Sequence, residues 1–257
     1  MKMDVNYKIL IGLILILTLS VNTAQAQEYA LLWSYKTGGI VESVSISSDG
    51  SCIAAGSEDD KVYMFDREGN LLWSYETGIS VESVSISSDG SCIAAGSLGK
   101  KVYMFDREGN LLWSYKTGFW VQSVSISSDG SCIAAGSCDC KIYLFDREGN
   151  LLWSYKTGGG VYSVSISSDG SCIAAGSLGK KVYMFDREGN LLWSYKTGFW
   201  VQSVSISSDG SCIAAGSCDC KIYLFDREGN LLWSYKTGGG VYSVSISSDG
   251  SCIAAGS

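Results

Sequence analysis

Two short turns carry the residues best suited to chemistry, because each places two cysteines around one aspartate. Two thiols and a carboxylate within three residues offer a metal ion three ligands, or allow a local disulfide after export. A structural zinc site takes four ligands, and the chain has no histidine to complete the set. The turns are therefore weak metal candidates, with a loop disulfide or free thiols as the alternatives, and no cofactor is expected. The cysteines concerned are Cys138, Cys140, Cys218 and Cys220.

The absence of histidine from all 257 residues also limits catalysis. It removes the usual general base and every Ser-His or Cys-His nucleophile pair. The formal net charge is −7, and no basic stripe interrupts it, so nucleic acid is not an expected partner. A catalytic site also needs an asymmetric set of residues, which a chain of near-identical repeats does not supply. The composition favours a binding protein over an enzyme.

One sequence unit of 40 residues repeats along the chain without any change in its period. Periods of about 40 to 45 residues with strand-like content are typical of propeller blades. The pentapeptide LLWSY marks the unit, and it begins at Leu31, Leu71, Leu111, Leu151, Leu191 and Leu231.

Each repeat contains four predicted strands, which are Val41–Ser47, Cys52–Ala55, Lys61–Phe65 and Leu71–Tyr75 in the first. Apolar and polar residues alternate in the first of these, and Asp-Gly or Gly-Asn pairs separate neighbouring strands. Such short connections allow only antiparallel meanders. A lone four-stranded sheet leaves one face bare, whereas successive sheets cover each other. The sequence predicts an all-β fold, a β-propeller of four-stranded antiparallel blades, with about six blades and the last one incomplete.

The repeated segments resemble two families of propeller. One resemblance is to the WD-repeat blade, and it rests on VxSVSISSDG, SCIAAGS and KVYMFD in that order. Phe65-Asp66 stands where that family has Trp-Asp. Since histidine is absent, the hydrogen-bond network of that family is not carried over. The segment DREGNLLWSYKTG is similar to the blade motif of quinoprotein-like (PQQ-like) propellers. These resemblances imply a propeller, and the quinoprotein-like one implies an oxidoreductase remnant as the alternative to a binding and interaction scaffold.

The repeated tryptophans and cysteines have a structural interpretation. Each occupies one strand position in every repeat, and we expect the tryptophans to pack between blades. Facing sheets lie ~10 Å apart, whereas a disulfide needs Cα atoms within ~7 Å. Equivalent cysteines should therefore remain unbridged small apolar residues. They are Cys52, Cys92, Cys132, Cys172, Cys212 and Cys252.

Sequence differences between repeats gather in two connections, from strand two to strand three and from strand four to the next strand one. Antiparallel order places these connections at the same end of every blade. Exposed aromatic residues beside polar ones are typical of binding hot spots, so we expect this end to bind a protein or glycan partner. The alternative is that Phe119 and Trp120 tuck between blades or close the channel mouth. The candidate ligand-binding residues are Phe119, Trp120, Gln122, Tyr162, Phe199, Trp200, Gln202 and Tyr242.

The first 26 residues predict a secretory signal peptide. Lys2 and Lys8 precede an apolar run over 9–19, and a small-x-small site ends at Ala26. The run is shorter than the ~20 residues that cross a bilayer. We therefore expect cleavage, a propeller domain over 27–257 without a membrane span, and a secreted, periplasmic or cell-surface location.

Two features of the repeat array bear on its completeness. Residues 83–177 are identical to residues 163–257, which indicates duplication of a two-blade unit or an artefact of sequence assembly. The last repeat stops after its second predicted strand. We expect either a fragment of a longer repeat protein, without a function of its own, or an open last blade that recruits a strand-donating partner or forms an oligomer.

Overall fold

The computed structural model describes residues 31–257, so the predicted signal peptide lies outside the described residues. Compact units divide at residue 34: the first is Met1–Ser34, and its described residues, 31–34, contain no strand. The second is Tyr35–Ser257, and it holds all of the described strands. Within the described residues no helix is long and apolar enough to cross a membrane.

The second unit consists of five four-stranded antiparallel sheets and one two-stranded sheet. We call them blades 1 to 6, and blade 6 is the two-stranded one. The strands are β1 Val41–Ile46, β2 Cys52–Ser57, β3 Lys61–Asp66 and β4 Leu71–Glu76 in blade 1; β5 Val81–Ile86, β6 Cys92–Ser97, β7 Lys101–Asp106 and β8 Leu111–Lys116 in blade 2; β9 Val121–Ile126, β10 Cys132–Ser137, β11 Lys141–Asp146 and β12 Leu151–Lys156 in blade 3; β13 Val161–Ile166, β14 Cys172–Ser177, β15 Lys181–Asp186 and β16 Leu191–Lys196 in blade 4; β17 Val201–Ile206, β18 Cys212–Ser217, β19 Lys221–Asp226 and β20 Leu231–Lys236 in blade 5; β21 Ser243–Ile246 and β22 Ile253–Gly256 in blade 6. The prediction of propeller blades, with the last one incomplete, is confirmed.

The alternating pattern of each first strand serves two neighbouring blades. Val84 and Ile86 are buried against the preceding blade. The serines between the apolar residues face the following blade, where the Ser43 hydroxyl accepts a hydrogen bond from the Val84 N–H at 3.1 Å. This pairing satisfies a buried amide that the sheet itself leaves without a partner. The repeated VxSVSIS segment thus encodes the junction between blades as well as the strand.

Apolar cores form at every junction between consecutive blades. At the junction of blades 1 and 2, Cys52 and Met64 of one sheet pack against Val84 and Phe105 of the next. Gly56 lies so close that an added Cβ would meet the Val81 Cγ1 at 2.7 Å, which explains the glycine of the CIAAGS strand. The predicted unbridged cysteines are free thiols, buried at Cys52, Cys92, Cys132 and Cys172 and increasingly exposed at Cys212 and Cys252.

The invariant SSDGS turn is a network of short hydrogen bonds. In blade 1 the Asp49 carboxylate accepts from the Ser47 hydroxyl at 2.7 Å and the Ser51 N–H at 2.9 Å. Gly50 adopts φ +69, a left-handed conformation that glycine adopts without strain. The Ser51 amide and the Ser47 hydroxyl, in that order, lower the pKa of Asp49 to about 2. The corresponding serine amide is also the main cause at Asp89 and Asp209, where the pKa likewise falls to about 2.

These turns predict a loss of stability in acid. The folded-state pKa values lie below the unfolded value of 3.8, so each turn's contribution is complete above about pH 4 and disappears as the pH falls toward 2. We expect the thermal midpoint, measured by circular dichroism, to fall steeply over this window. The Asp89→Asn variant, which has one fewer titrating turn, should show a shallower fall. An identical pH profile for both proteins would contradict the role of the turn.

Candidate functional site

The connections that vary between repeats meet at one end of the blades, as the sequence predicted. The link from β8 to β9 is anchored in two blades at once. The Thr117 N–H donates to the Lys100 carbonyl at 2.9 Å in blade 2, and the Trp120 carbonyl accepts from the Cys138 N–H at 2.8 Å in blade 3. We call this end the variable face, formed by the connections from strand two to strand three and from strand four to the next strand one.

Two aromatic pairs stand out on the variable face. The rings of Phe119 and Trp120 lie 4.7 Å apart, and those of Phe199 and Trp200 lie 4.8 Å apart. Phe119 remains 39% exposed and Trp120 43% exposed, so neither ring is enclosed between blades in the described structure. The alternative of a tucked-in pair is therefore not what the structure shows.

The backbone beneath each aromatic pair is held firmly. The Phe119 carbonyl accepts from the Thr117 hydroxyl at 2.6 Å and from the Ser137 hydroxyl at 3.2 Å. The Lys100 ammonium of the neighbouring turn lies 5.1 Å from the centre of the Phe119 ring, a cation–π distance. A fixed backbone with exposed rings costs little entropy when a partner covers the rings.

The polar candidates lie at the start of the first strands: Gln122, Tyr162 and Gln202 are the second residues of β9, β13 and β17, and Tyr242 directly precedes β21. Gln122, Gln202 and Tyr162 are half-buried there, and Tyr242 is exposed. Burial is the main reason that the pKa of Tyr162 is raised, and the charges of Cys138 and Glu82 raise it further. Tyr162 was a predicted ligand-binding residue, and Cys138 was a weak metal candidate.

The Cys-Asp-Cys turns are built mainly by their aspartates. The Asp139 carboxylate accepts from the Gly118 N–H at 2.7 Å and from the Tyr143 hydroxyl at 2.6 Å. Burial first, and this bond second, raise the pKa of Tyr143. The aspartate thus ties its turn to the connection from the preceding blade. Sequence reasoning missed this role, although the recurring Asp-x-x-x-Tyr spacing was its signal.

The four loop cysteines are half-buried free thiols in the structure. Burial is the main cause that raises the pKa of Cys138, and the nearby Cys140 and Asp139 raise it further. A raised pKa keeps a thiol protonated, and the thiolate is the form that binds metal. Among residues 31–257 no group of three or more histidine, cysteine, aspartate or glutamate side chains is arranged to hold a metal ion.

Comparison with known proteins adds one finding. Residues 21–257 match the family model described as the IFT122 first beta-propeller. A search of curated proteins found no match.

Proposed function

The chain belongs to the family of the IFT122 first beta-propeller, a propeller of the WD-repeat type, and on that premise we propose that it binds a protein partner through its variable face. A WD-like propeller indicates a protein-interaction scaffold, and this family type is typically a scaffold rather than an enzyme. The finer assignment, to one face, depends on the residues of this chain.

The observation that carries the assignment is the exposed pair Phe119 and Trp120, repeated as Phe199 and Trp200. Large apolar rings in contact with water are costly unless a partner covers them. Tryptophan and tyrosine are also the residues that most often dominate the energy of protein interfaces. Half-buried Gln122 and Gln202, two residues after each tryptophan, add directional hydrogen bonding beside the apolar rings.

The opposite end of the blades is a weaker candidate. Its two connections, SSDGS and DREGN, are the same in every complete repeat. Their side chains are already engaged, since Asp49 bonds within its turn and Asp66 accepts from both the backbone and the side-chain amide of Asn70 at 2.8 Å. Turns that are the same in every repeat, and whose polar groups are already hydrogen-bonded within the turn, provide few groups that could select one partner.

We also propose that the chain acts outside the cytoplasm. The support is the basic, apolar and small-x-small pattern of residues 1–26, which is typical of a signal peptide. The intact mass of the native protein tests this proposal. A mass that corresponds to a chain starting at Gln27 supports the proposal, whereas a mass that corresponds to a chain starting at Met1 or Lys2 counts against it.

The binding proposal predicts a strong effect of the double variant Trp120→Ala and Trp200→Ala. Loss of two hot-spot rings should weaken partner binding at least roughly tenfold, since about 1.4 kcal/mol gives that factor. The thermal midpoint should barely change, because both rings are already about 40% exposed. Photo-crosslinking from position 119, followed by titration of the identified partner, measures the effect.

The matched control replaces two leucines of the outer strands. Leu112→Ala with Leu192→Ala removes apolar side chains of similar exposure from the same blades, away from the variable face. This control should leave binding unchanged. Retention of every partner by the tryptophan variant, or equal loss in both variants, would refute the assignment.

A further inference from the structure

Lysines of blades 2 to 5 gather at the variable face. Each of these blades begins its third strand and ends its fourth strand with a lysine, and both positions lie at this end of the sheet. In blade 2 they are Lys101 and Lys116, which stand directly opposite each other in the antiparallel register. The same pairing recurs in the next three blades, as Lys141 with Lys156, Lys181 with Lys196 and Lys221 with Lys236.

This pairing of lysines is unfavourable for the sheet by itself. Side chains directly opposite each other have Cβ atoms about 5 Å apart, so like charges there are destabilising. Blade 1 shows that the fold does not require two lysines, because Lys61 there pairs with Glu76. The lysine that ends the fourth strand of the other blades therefore needs a different explanation. An anion bound at this end of the blades would offset the repulsion.

Two further lysines lie beside the aromatic pairs. The Lys100 ammonium is 5.1 Å from the centre of the Phe119 ring, and the Lys180 ammonium is 4.9 Å from that of Phe199. Both lysines adopt a left-handed backbone, with φ +62 and +61, in which asparagine, aspartate and glycine are more usual. Each exposed aromatic pair therefore has an ammonium group within cation–π distance of its phenylalanine.

Few carboxylates offset this positive charge. The acidic residues at the variable end of blades 2 to 5 are Glu82, Asp139 and Asp219, and the lysines outnumber them. Glu82 accepts a hydrogen bond from the Ser80 hydroxyl at 2.9 Å. Asp139 and Asp219 each accept at 2.6 Å from the hydroxyl of the tyrosine four residues later. These carboxylates are thus already engaged within their own turns.

The two ends of the blades differ in charge. At the opposite end each complete repeat places one arginine among two aspartates and one glutamate. In blade 2 these residues are Arg107, Asp89, Asp106 and Glu108. Although the formal net charge of the whole sequence is −7, the variable end of blades 2 to 5 is positive. An anionic segment is therefore attracted to the variable face and repelled from the opposite end.

We propose that the variable face of blades 2 to 5 binds an acidic segment of a protein, whose carboxylates meet the lysines and whose apolar side chains meet the two aromatic pairs. This inference rests on the proposed function and names the chemistry of the partner. Nucleic acid is a poorer occupant. Arginine, whose planar fork suits phosphate groups, lies in the DREGN connections at the opposite end. The net negative charge of the chain also repels a long polyanion.

The test measures binding of a labelled synthetic peptide, EEDFEEDLEE, to the purified full chain by fluorescence anisotropy. The neutral peptide QQNFQQNLQQ keeps the length and the apolar side chains and serves as the control. We expect saturable binding of the acidic peptide and at least roughly tenfold weaker binding of the neutral one. Raising NaCl from about 50 mM to about 500 mM should bring the two affinities together, because salt screens exposed charges.

Charge reversal in the protein locates the site. Lys116→Glu with Lys196→Glu recreates in blades 2 and 4 the lysine–glutamate pair of blade 1, so the thermal midpoint should not fall. Binding of the acidic peptide should weaken at least roughly tenfold. Arg107→Glu with Arg187→Glu is the matched control, because it makes the same charge change on exposed side chains at the opposite end of the same blades. This control should weaken binding roughly twofold at most, through the long-range field alone.

Several results would overturn the proposal. Equal binding of the two peptides, absence of saturable binding, or equal weakening by the two charge reversals would each do so. An oligothymidylate of the same length that competes as well as the acidic peptide would also do so, since the face would then accept any polyanion.

The proposed function is judged separately, with the partner identified by photo-crosslinking. A partner that is lost with Trp120→Ala and Trp200→Ala, but retained by the lysine variant, would leave the binding face in place and refute its preference for acidic segments. A partner that the tryptophan variant retains would instead refute the face itself.

Discussion

Gly149→Ala should unfold the protein at a markedly lower denaturant concentration, with a loss of about 3 kcal/mol in unfolding free energy from strain and overpacking together. Gly149 has φ +88, a conformation that alanine adopts only with strain. An added Cβ would also lie 2.6 Å from the Cγ of Trp113, which the neighbouring Arg147 carbonyl holds through the indole N–H at 2.9 Å. Neither the backbone of Gly149 nor the ring of Trp113 can therefore move to make room for the added Cβ.

Two other glycines separate these causes. Gly78 has φ +83 with no atom within 4 Å of an added Cβ, so Gly78→Ala should show the strain alone, about 1 kcal/mol. Gly158 is equally open and its φ lies outside the left-handed region, so Gly158→Ala should be nearly neutral. Urea titration of the three variants measures the differences. Equal losses at Gly149 and Gly78 would show that the tryptophan contact is unimportant.

The repeating pattern of the sequence was sufficient to predict the elements of the fold. Alternation in VESVSI, and the turn pairs Asp49-Gly50 and Gly69-Asn70, placed the strands to within two residues of their ends. This succeeds because strand period and turn chemistry are local properties. The end of the blades at which the repeats differ followed from antiparallel order alone.

The contacts between blades could not be predicted from the sequence in the same way. Ser43 and Ser45 look like the polar half of an alternating strand, yet their hydroxyls accept from the amides of Val84 and Ile86 in the next blade. The distance between the first strands of neighbouring blades determines whether these hydrogen bonds form, and no local sequence pattern reveals that distance. For the same reason, the sequence offered the Asp139 carboxylate as a third metal ligand beside two cysteines, whereas in the structure it accepts hydrogen bonds from Gly118 and Tyr143.

Six tryptophans were expected to pack between blades, and the described residues show that packing for Trp73, Trp113, Trp153 and Trp193. At four junctions the indole packs on a phenylalanine of the next blade, 5.3 Å away for Trp153 and Phe185. Trp233 has no third strand beside it in the described residues and stays 40% exposed. Identical tryptophans in identical repeats thus differ in burial, because the burial of each one depends on the strand of the next blade that packs against it.

That difference makes a pair of identical substitutions decisive. Trp153→Ala should cost about 3 kcal/mol, because it removes a packed ring and its hydrogen bond to the Arg187 carbonyl at 3.0 Å. Trp233→Ala removes the same side chain where no third strand covers it within the described residues, and in this 257-residue chain it should cost well under about 1 kcal/mol, as exposed substitutions do. Urea denaturation, followed by circular dichroism, gives both values.

The conservative variant Trp153→Phe sharpens the comparison. It keeps most of the contact with Phe185 and loses only the indole N–H, so its cost should be about 1 kcal/mol. Equal losses for Trp153→Ala and Trp153→Phe would show that the hydrogen bond to the Arg187 carbonyl, and not the packing on Phe185, supplies most of the stabilisation.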